Sequence, residues 1–232
     1  MKHSYSTLAK QIQIGLQTAG HKLALTHSQQ LLAAALGYYT HAAMKASKEE
    51  AAGGLAAAKI VVLDVPTTIS RCASLQISHL SLQVLDVITR TLRADPSNPK
   101  VFSNWQQFLD EFAEPTIAAE SVESDGTYEA MAETNAIFDD PGEIEFPGYN
   151  PAPTTSSALP TPLSVSACGG FLEIPFVGTI TGESDEDRMY SGHILNIEGI
   201  ARIEKVGRRC LLDTVQIDLG ASVDDSHYDT TI

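Results

Sequence analysis

Between Asp110 and Ala167 the chain carries twelve acidic residues and no basic one, and no other feature restricts its folding as strongly. A run of like charge repels itself, and this run is also rich in Pro, Ser, Thr and Gly, as in Asp140-Pro141-Gly142, Phe146-Pro147-Gly148 and Pro160-Thr161-Pro162. Such a composition buries too little apolar surface to offset the entropy of ordering it. The flanks are different: residues 1–109 hold ten basic and five acidic residues, and residues 168–232 hold five and twelve. Breaks this sharp mark boundaries. The sequence therefore predicts an α+β chain of two modules: a mainly helical domain over 1–113, a disordered acidic linker over 114–167, a small antiparallel β domain over 168–221, and a flexible tail over 222–232.

Within the first module, Tyr5, Leu8, Ala9, Ile12, Leu16 and Ala19 share one face at helical spacing, with Ser4 as a cap and Gly20 as a stop. Gln29 to Leu36 and Thr40 to Ser47 read as two short helices hinged at Gly37, since glycine takes the positive φ that a tight turn requires. Ile60 to Leu63 reads as a lone strand or buried turn, and Asp64 or Thr67 as the cap of a helix beginning near Pro66. A helix over 78–93 presents Leu80, Val84, Leu85, Val87, Ile88 and Leu92 on one wide face and stops at Asp95-Pro96. A last helix places Trp105, Phe108, Leu109 and Phe112 together, with Trp105 as a core anchor.

In the second module, Leu172, Ile174, Phe176 and Ile180 alternate with more polar neighbours, as do Leu195, Ile197, Ala201 and Ile203. This is the period of a half-buried strand. Pro175 has no N–H for a ladder, which predicts an edge or a bend there, and Gly199 predicts a kink. A final strand runs near 210–219.

The sequence offers no phosphate-binding glycine loop, no dinucleotide fingerprint, no zinc-protease helix and no nucleophile elbow. Its seven His lack ligand spacing, and the acidic turn at 182–188 lacks the spaced pattern of a calcium loop, so neither a metal nor a cofactor is expected. Cys72 and Cys210 sit in apolar contexts as inert thiols, and Cys168 beside Gly169-Gly170 is the more exposed one. Three widely spaced Cys exclude a disulfide scaffold, and a formal charge of −14 excludes a generally basic nucleic-acid coat. The apolar stretch from Ala51 to Val65 is interrupted by Lys59 and Asp64 and is too short for a bilayer. The expected setting is a reducing cytoplasm, without a membrane partner.

Three patches are candidate binding surfaces. Thr40, His41, Lys45 and Lys48 lie on the second helix of the hinged pair, suited to a partner or to phosphates. Arg202, Lys205, Arg208 and Arg209 form a basic cluster, suited to an acidic partner or to the linker's own carboxylates. Phe138, Ile144, Phe146 and Tyr149 are apolar anchors among carboxylates, as in a segment that folds upon a partner.

Leu8-Ala9-Lys10, His27-Ser28-Gln29, Ala33-Ala34-Ala35-Leu36-Gly37-Tyr38 and His41-Ala42-Ala43-Met44 together resemble the small helical glyoxalase-related protein domain. The resemblance covers about 40 residues, and it departs where His41 replaces a common Trp. It implies a protein of a bacterium or mobile element, and it does not imply glyoxalase chemistry. The function expected is that of a non-enzymatic accessory or regulatory protein, a protein-interaction adaptor acting through the helical module. The alternative is a DNA-associated regulator using the pair at 28–48, and a third reading is an enzyme with a polar site between the modules.

Overall fold

The computed structural model describes residues 5–47, 53–95, 98–134, 137–150, 159–161, 163–166, 170–182 and 194–224. The chain forms two compact units, neither continuous in sequence. Unit 1 comprises Met1–Phe108, Pro151–Pro160 and Glu204–Asp213, and unit 2 comprises Leu109–Asn150, Thr161–Ile203 and Thr214–Ile232. Unit 1 holds thirteen basic and seven acidic residues, a net of +6, whereas unit 2 holds two basic and twenty-two acidic residues, a net of −20.

Unit 1 begins with α1 (Tyr5–Thr18), α2 (Leu25–Ala35) and α3 (His41–Ala46). The apolar stripe of α1, Leu8, Ala9, Ile12 and Leu16, is buried as its spacing predicts. At the end of that helix Gly20 takes φ +91° and His21 N–H donates to Leu16 O, a reversal that meets the orphan carbonyls of the last turn. Ser28, Leu31, Leu32, Ala33, Ala34 and Ala35 of α2 are all buried. Strand β1 (Ile60–Val62) follows, with all three residues enclosed, then α4 (Val65–Ser74), α5 (Ser81–Arg93) and strand β2 (Lys100–Phe102). The expected lone strand has a partner: β2 pairs parallel with β1, Val61 opposite Val101. Burial on all sides explains why β1 is uniformly apolar rather than alternating. Asp64, not Thr67, caps α4, its Oδ1 accepting from Thr67 N–H at 3.0 Å. Helix α6 (Trp105–Phe108) sets Trp105 edge-on to Phe108, with ring centroids 5.5 Å apart.

The remaining wall of unit 1 comes from far along the chain. Strands β6 (Ile194–Lys205) and β7 (Cys210–Val223) are joined by a short turn, and this hairpin tip belongs to unit 1. There Ile60 and Val61 pair antiparallel with Leu211 and Cys210. Arg209 Nη2 meets Asp64 Oδ2 at 3.0 Å, with side chains only 6% and 1% exposed. The guanidinium also lies over the Trp105 ring, 5.3 Å from its centroid. An ion pair in a low-dielectric site is tolerated only when its remaining hydrogen-bonding capacity is met. Asp64 is met throughout: its N–H donates to Ala35 O, and its carbonyl accepts from Thr68.

Unit 2 overturns the expected linker. Residues 114–167 are not a single disordered segment: they include α7 (Glu114–Val122), α8 (Asp125–Thr134), strand β3 (Phe138–Glu145) and strand β4 (Ser164–Val165). A π-helical turn over Leu109–Ala113 leads into α7. Glu114, Glu120, Glu123, Asp125, Glu129, Asp139, Asp140, Glu143 and Glu145 lie on exposed positions, while Ile117, Ser121, Thr127, Ala130, Phe138 and Ile144 turn inward. One-sided apolar patterning, not net charge, decides whether such a segment packs. The tail also begins later than expected, because β7 extends to Val223.

Strands β7, β6, β5 (Phe171–Gly182) and β3 lie side by side in that order, with β4 also beside β5. Leu172, Ile174, Phe176 and Ile180 of β5 and Leu195, Ile197, Ala201 and Ile203 of β6 are buried, as their alternation predicts. Pro175 falls between the stretch of β5 that pairs with β4 and the stretch that pairs with β3, where a missing N–H costs no ladder bond. Gly199 is required by close approach, since a Cβ there would lie 2.5 Å from Asp218 O.

Breaking the buried pair on one side is expected to be severe. Arg209→Met should lower unfolding stability by roughly 3–5 kcal/mol, because it strands the Asp64 carboxylate. Adding Asp64→Asn, which keeps a capping oxygen, should recover part of that loss, as read from urea denaturation of the four members of the cycle.

Candidate interaction site

The residues singled out at the hinged pair converge on the turn between α2 and α3. Gly37 takes φ +81°, a left-handed conformation that a side chain would strain, and its N–H donates to Ala34 O while Tyr38 N–H donates to Ala33 O. Arg208 seals the turn: its Nη1 donates to Gly37 O at 2.9 Å, and its guanidinium sits 5.0 Å from the centroid of the buried Tyr38 ring. A Cβ on Gly37 would lie only 3.2 Å from both Arg208 Cδ and Arg209 Cγ. On the far side of the turn, Arg71 of α4 donates to Tyr39 O. Thr40 then caps α3, its Oγ1 accepting from Ala43 N–H at 2.9 Å.

Four successive residues, 37 to 40, are thus held by partners from α2, α3, α4 and the hairpin tip, yet Tyr39 is 74% exposed. Beside it, α3 buries Met44 and exposes Ala42, Ala43, Lys45 and Ala46. His41 is half-buried, with Nε2 enclosed and without a hydrogen-bond partner among the described residues. Burial first, and the Lys45 ammonium second, hold the imidazole below its ordinary range. Of the four residues expected here, Thr40 acts on the backbone, His41 and Lys45 share the short helix, and Lys48 lies outside the described residues.

Tyr39 and Arg71 were not among the expected site residues. Two adjacent tyrosines after a helix-ending glycine carry the signal for Tyr39, because both rings cannot enter one core. Arg71 is 32 residues from the carbonyl it binds, and nothing local marks it.

The basic cluster is divided. Arg202 belongs to unit 2, where it lies 3.5 Å from Glu173 and 3.5 Å from Asp218, while Lys205, Arg208 and Arg209 belong to the hairpin tip of unit 1. Arg202 engages Glu173 and Asp218, Arg208 engages Gly37 O, and Arg209 engages Asp64. The apolar anchors likewise differ from a free recognition segment. Phe138 and Ile144 are core residues of unit 2, and Phe146 and Tyr149 are half-buried. Burial, followed by the Asp110 carboxylate, raises the Tyr149 phenol above its ordinary value. Cys72 and Cys210 are buried free thiols; the acidic turn at 183–188 and Cys168 lie outside the described residues.

Among the described residues, no group of three or more His, Cys, Asp or Glu is placed to hold a metal ion. No helix among them is long and apolar enough to cross a membrane. Comparison with family models, curated proteins and solved structures returns no match.

The lowered His41 pKa fixes a direction for pH dependence. The unfolded chain protonates its imidazole near the ordinary value of about 6.5, and the folded chain only below it. Stability should therefore decline as pH falls below about 6.5 towards the folded value, and His41→Gln should remove that decline. In an NMR titration the His41 midpoint should lie below the ordinary value and should move upward in Lys45→Gln.

Proposed function

We propose that the chain is a non-enzymatic protein-interaction adaptor, which docks a protein partner on the turn at 37–40 and the exposed side of α3. The observation that carries this reading is Tyr39: a 74% exposed aromatic on a backbone pinned before and after it. Binding surfaces lose affinity to the ordering of loops and side chains, and a tyrosine on a backbone already held has only its side chain left to order. Aromatic anchors of this kind dominate protein interfaces. The stretch that resembles the glyoxalase-related protein domain fits the same picture, since Ala33, Gly37 and Tyr38 are the residues that build the turn.

A DNA-associated regulator is the second reading, favoured by the +6 charge of unit 1 and by exposed Lys45. It is the weaker one, because α3 has six residues and its exposed side is otherwise alanine. Phosphate binding draws on several cations at once.

Both readings are tested on the full chain, since residues 1–113 alone would leave Asp64 without Arg209. A partner captured from bacterial lysate should be retained by the wild type and by Leu82→Ala, an exposed control on α5. Tyr39→Ala should reduce retention by on the order of ten-fold or more. Equal retention by Tyr39→Ala rejects the adaptor site. Binding to random duplex DNA that falls steeply with salt and weakens in Lys45→Glu would favour the second reading instead.

A further inference from the structure

The sheet of unit 2 has a second face, formed by the residues that alternate with its buried set. An open concavity of about 1090 Å³ lies along it, lined by residues of β3, β5, β6 and β7 together with short flanking segments. Its centre is apolar, with Pro175 and Val177 of β5 and Ile200 of β6. Its sides are acidic: Glu143 and Glu145 stand on β3, Glu198 on β6 and Asp218 on β7. Among the described residues, no Lys, Arg or His lines it. Glu143, Glu145 and Glu198 make no ion pair among the described residues, and the carboxylates are not grouped to hold a metal ion.

The same face already receives one guanidinium. Arg202 of β6, the only basic residue of unit 2 among those described, lies between Glu173 and Asp218 at 3.5 Å from each. That arrangement shows what this face accommodates, and the remaining carboxylates repeat it without a cation.

We propose that this concavity docks an extended basic segment of a partner protein, with an apolar centre seated on Pro175, Val177 and Ile200 and cationic side chains reaching Glu143 and Glu145 on one side and Glu198 on the other. Charge complementarity selects the occupant: a face of this sign, in a unit of net −20, repels nucleic acid and anionic lipid and attracts Lys and Arg. Geometry selects its length. Four neighbouring strands span about 14 Å, which four to five extended residues cross at roughly 3.3 Å each. The site is separate from the Tyr39 turn and stands whether or not that turn binds a partner.

The probe is a fluorescein-labelled peptide with a Lys-Arg pair on each side of Val-Val, titrated with the full chain and followed by anisotropy over a salt series. Binding should weaken by on the order of ten-fold or more as exposed charges are screened between low and high salt. The combined variant Glu143→Gln, Glu145→Gln, Glu198→Gln should weaken it to a similar extent. Val177→Lys should do the same by placing a cation in the apolar centre. A control that neutralises as many exposed carboxylates of the same unit, Glu120→Gln, Glu123→Gln, Glu129→Gln, should leave binding within about two-fold. Thermal melts by circular dichroism should show all variants folded. Equal weakening by the control would reduce the effect to net charge and overturn the proposal, as would absence of binding at low salt. Concentration-dependent self-association in sedimentation, abolished by the triple groove variant, would overturn it in favour of a second copy of the chain.

Discussion

The buried contact between Asp64 and Arg209 is the constraint on which unit 1 depends. Taking two charges out of water costs several kcal/mol for each ion, and mutual attraction repays this only with good geometry and full satisfaction of the remaining polar atoms. Asp64 meets that condition by serving four roles: it ends β1, caps α4, receives Arg209, and through its own N–H closes on Ala35 of α2. Arg209 is held in turn by the Trp105 ring. Burial pulls its guanidinium down and Asp64 opposes that pull. The same tip brings Arg208 onto Gly37 and Tyr38, so one buried pair also sets the exposed turn.

Much of the secondary structure was legible because its periodicity is local. The stripe of α1, the faces of α5 and the alternation in β5 and β6 each declare one buried side within a dozen residues. What was not legible rests on distant partners. Lys100-Val101-Phe102 has no alternation of its own, and it is a strand because β1 lies beside it. Arg208 and Arg209 read as surface cations until Gly37 and Asp64 supply their environment.

The acidic stretch is the instructive case. Twelve carboxylates without a cation argued for disorder, but repulsion acts on the solvated side of a segment whose other side is apolar. Phe138 and Ile144, first read as anchors for a partner, are anchors for unit 2 itself. The candidate site was legible in part: Thr40 announces its capping role by type and position, whereas the exposure of Tyr39 depends on where Tyr38 goes.

The separation of 145 residues between Asp64 and Arg209 also has a consequence for synthesis. At ribosomal speeds of about 5–20 residues per second, the carboxylate waits about 7–30 s before its guanidinium is made. During that interval β1 has one open side and Asp64 has no reason to leave water, so the amino-terminal helices emerge first and are completed last. A chain stopped short of the hairpin, by premature termination or by proteolysis, would expose the apolar β1 edge to chaperones and proteases, and only the finished molecule would withdraw it.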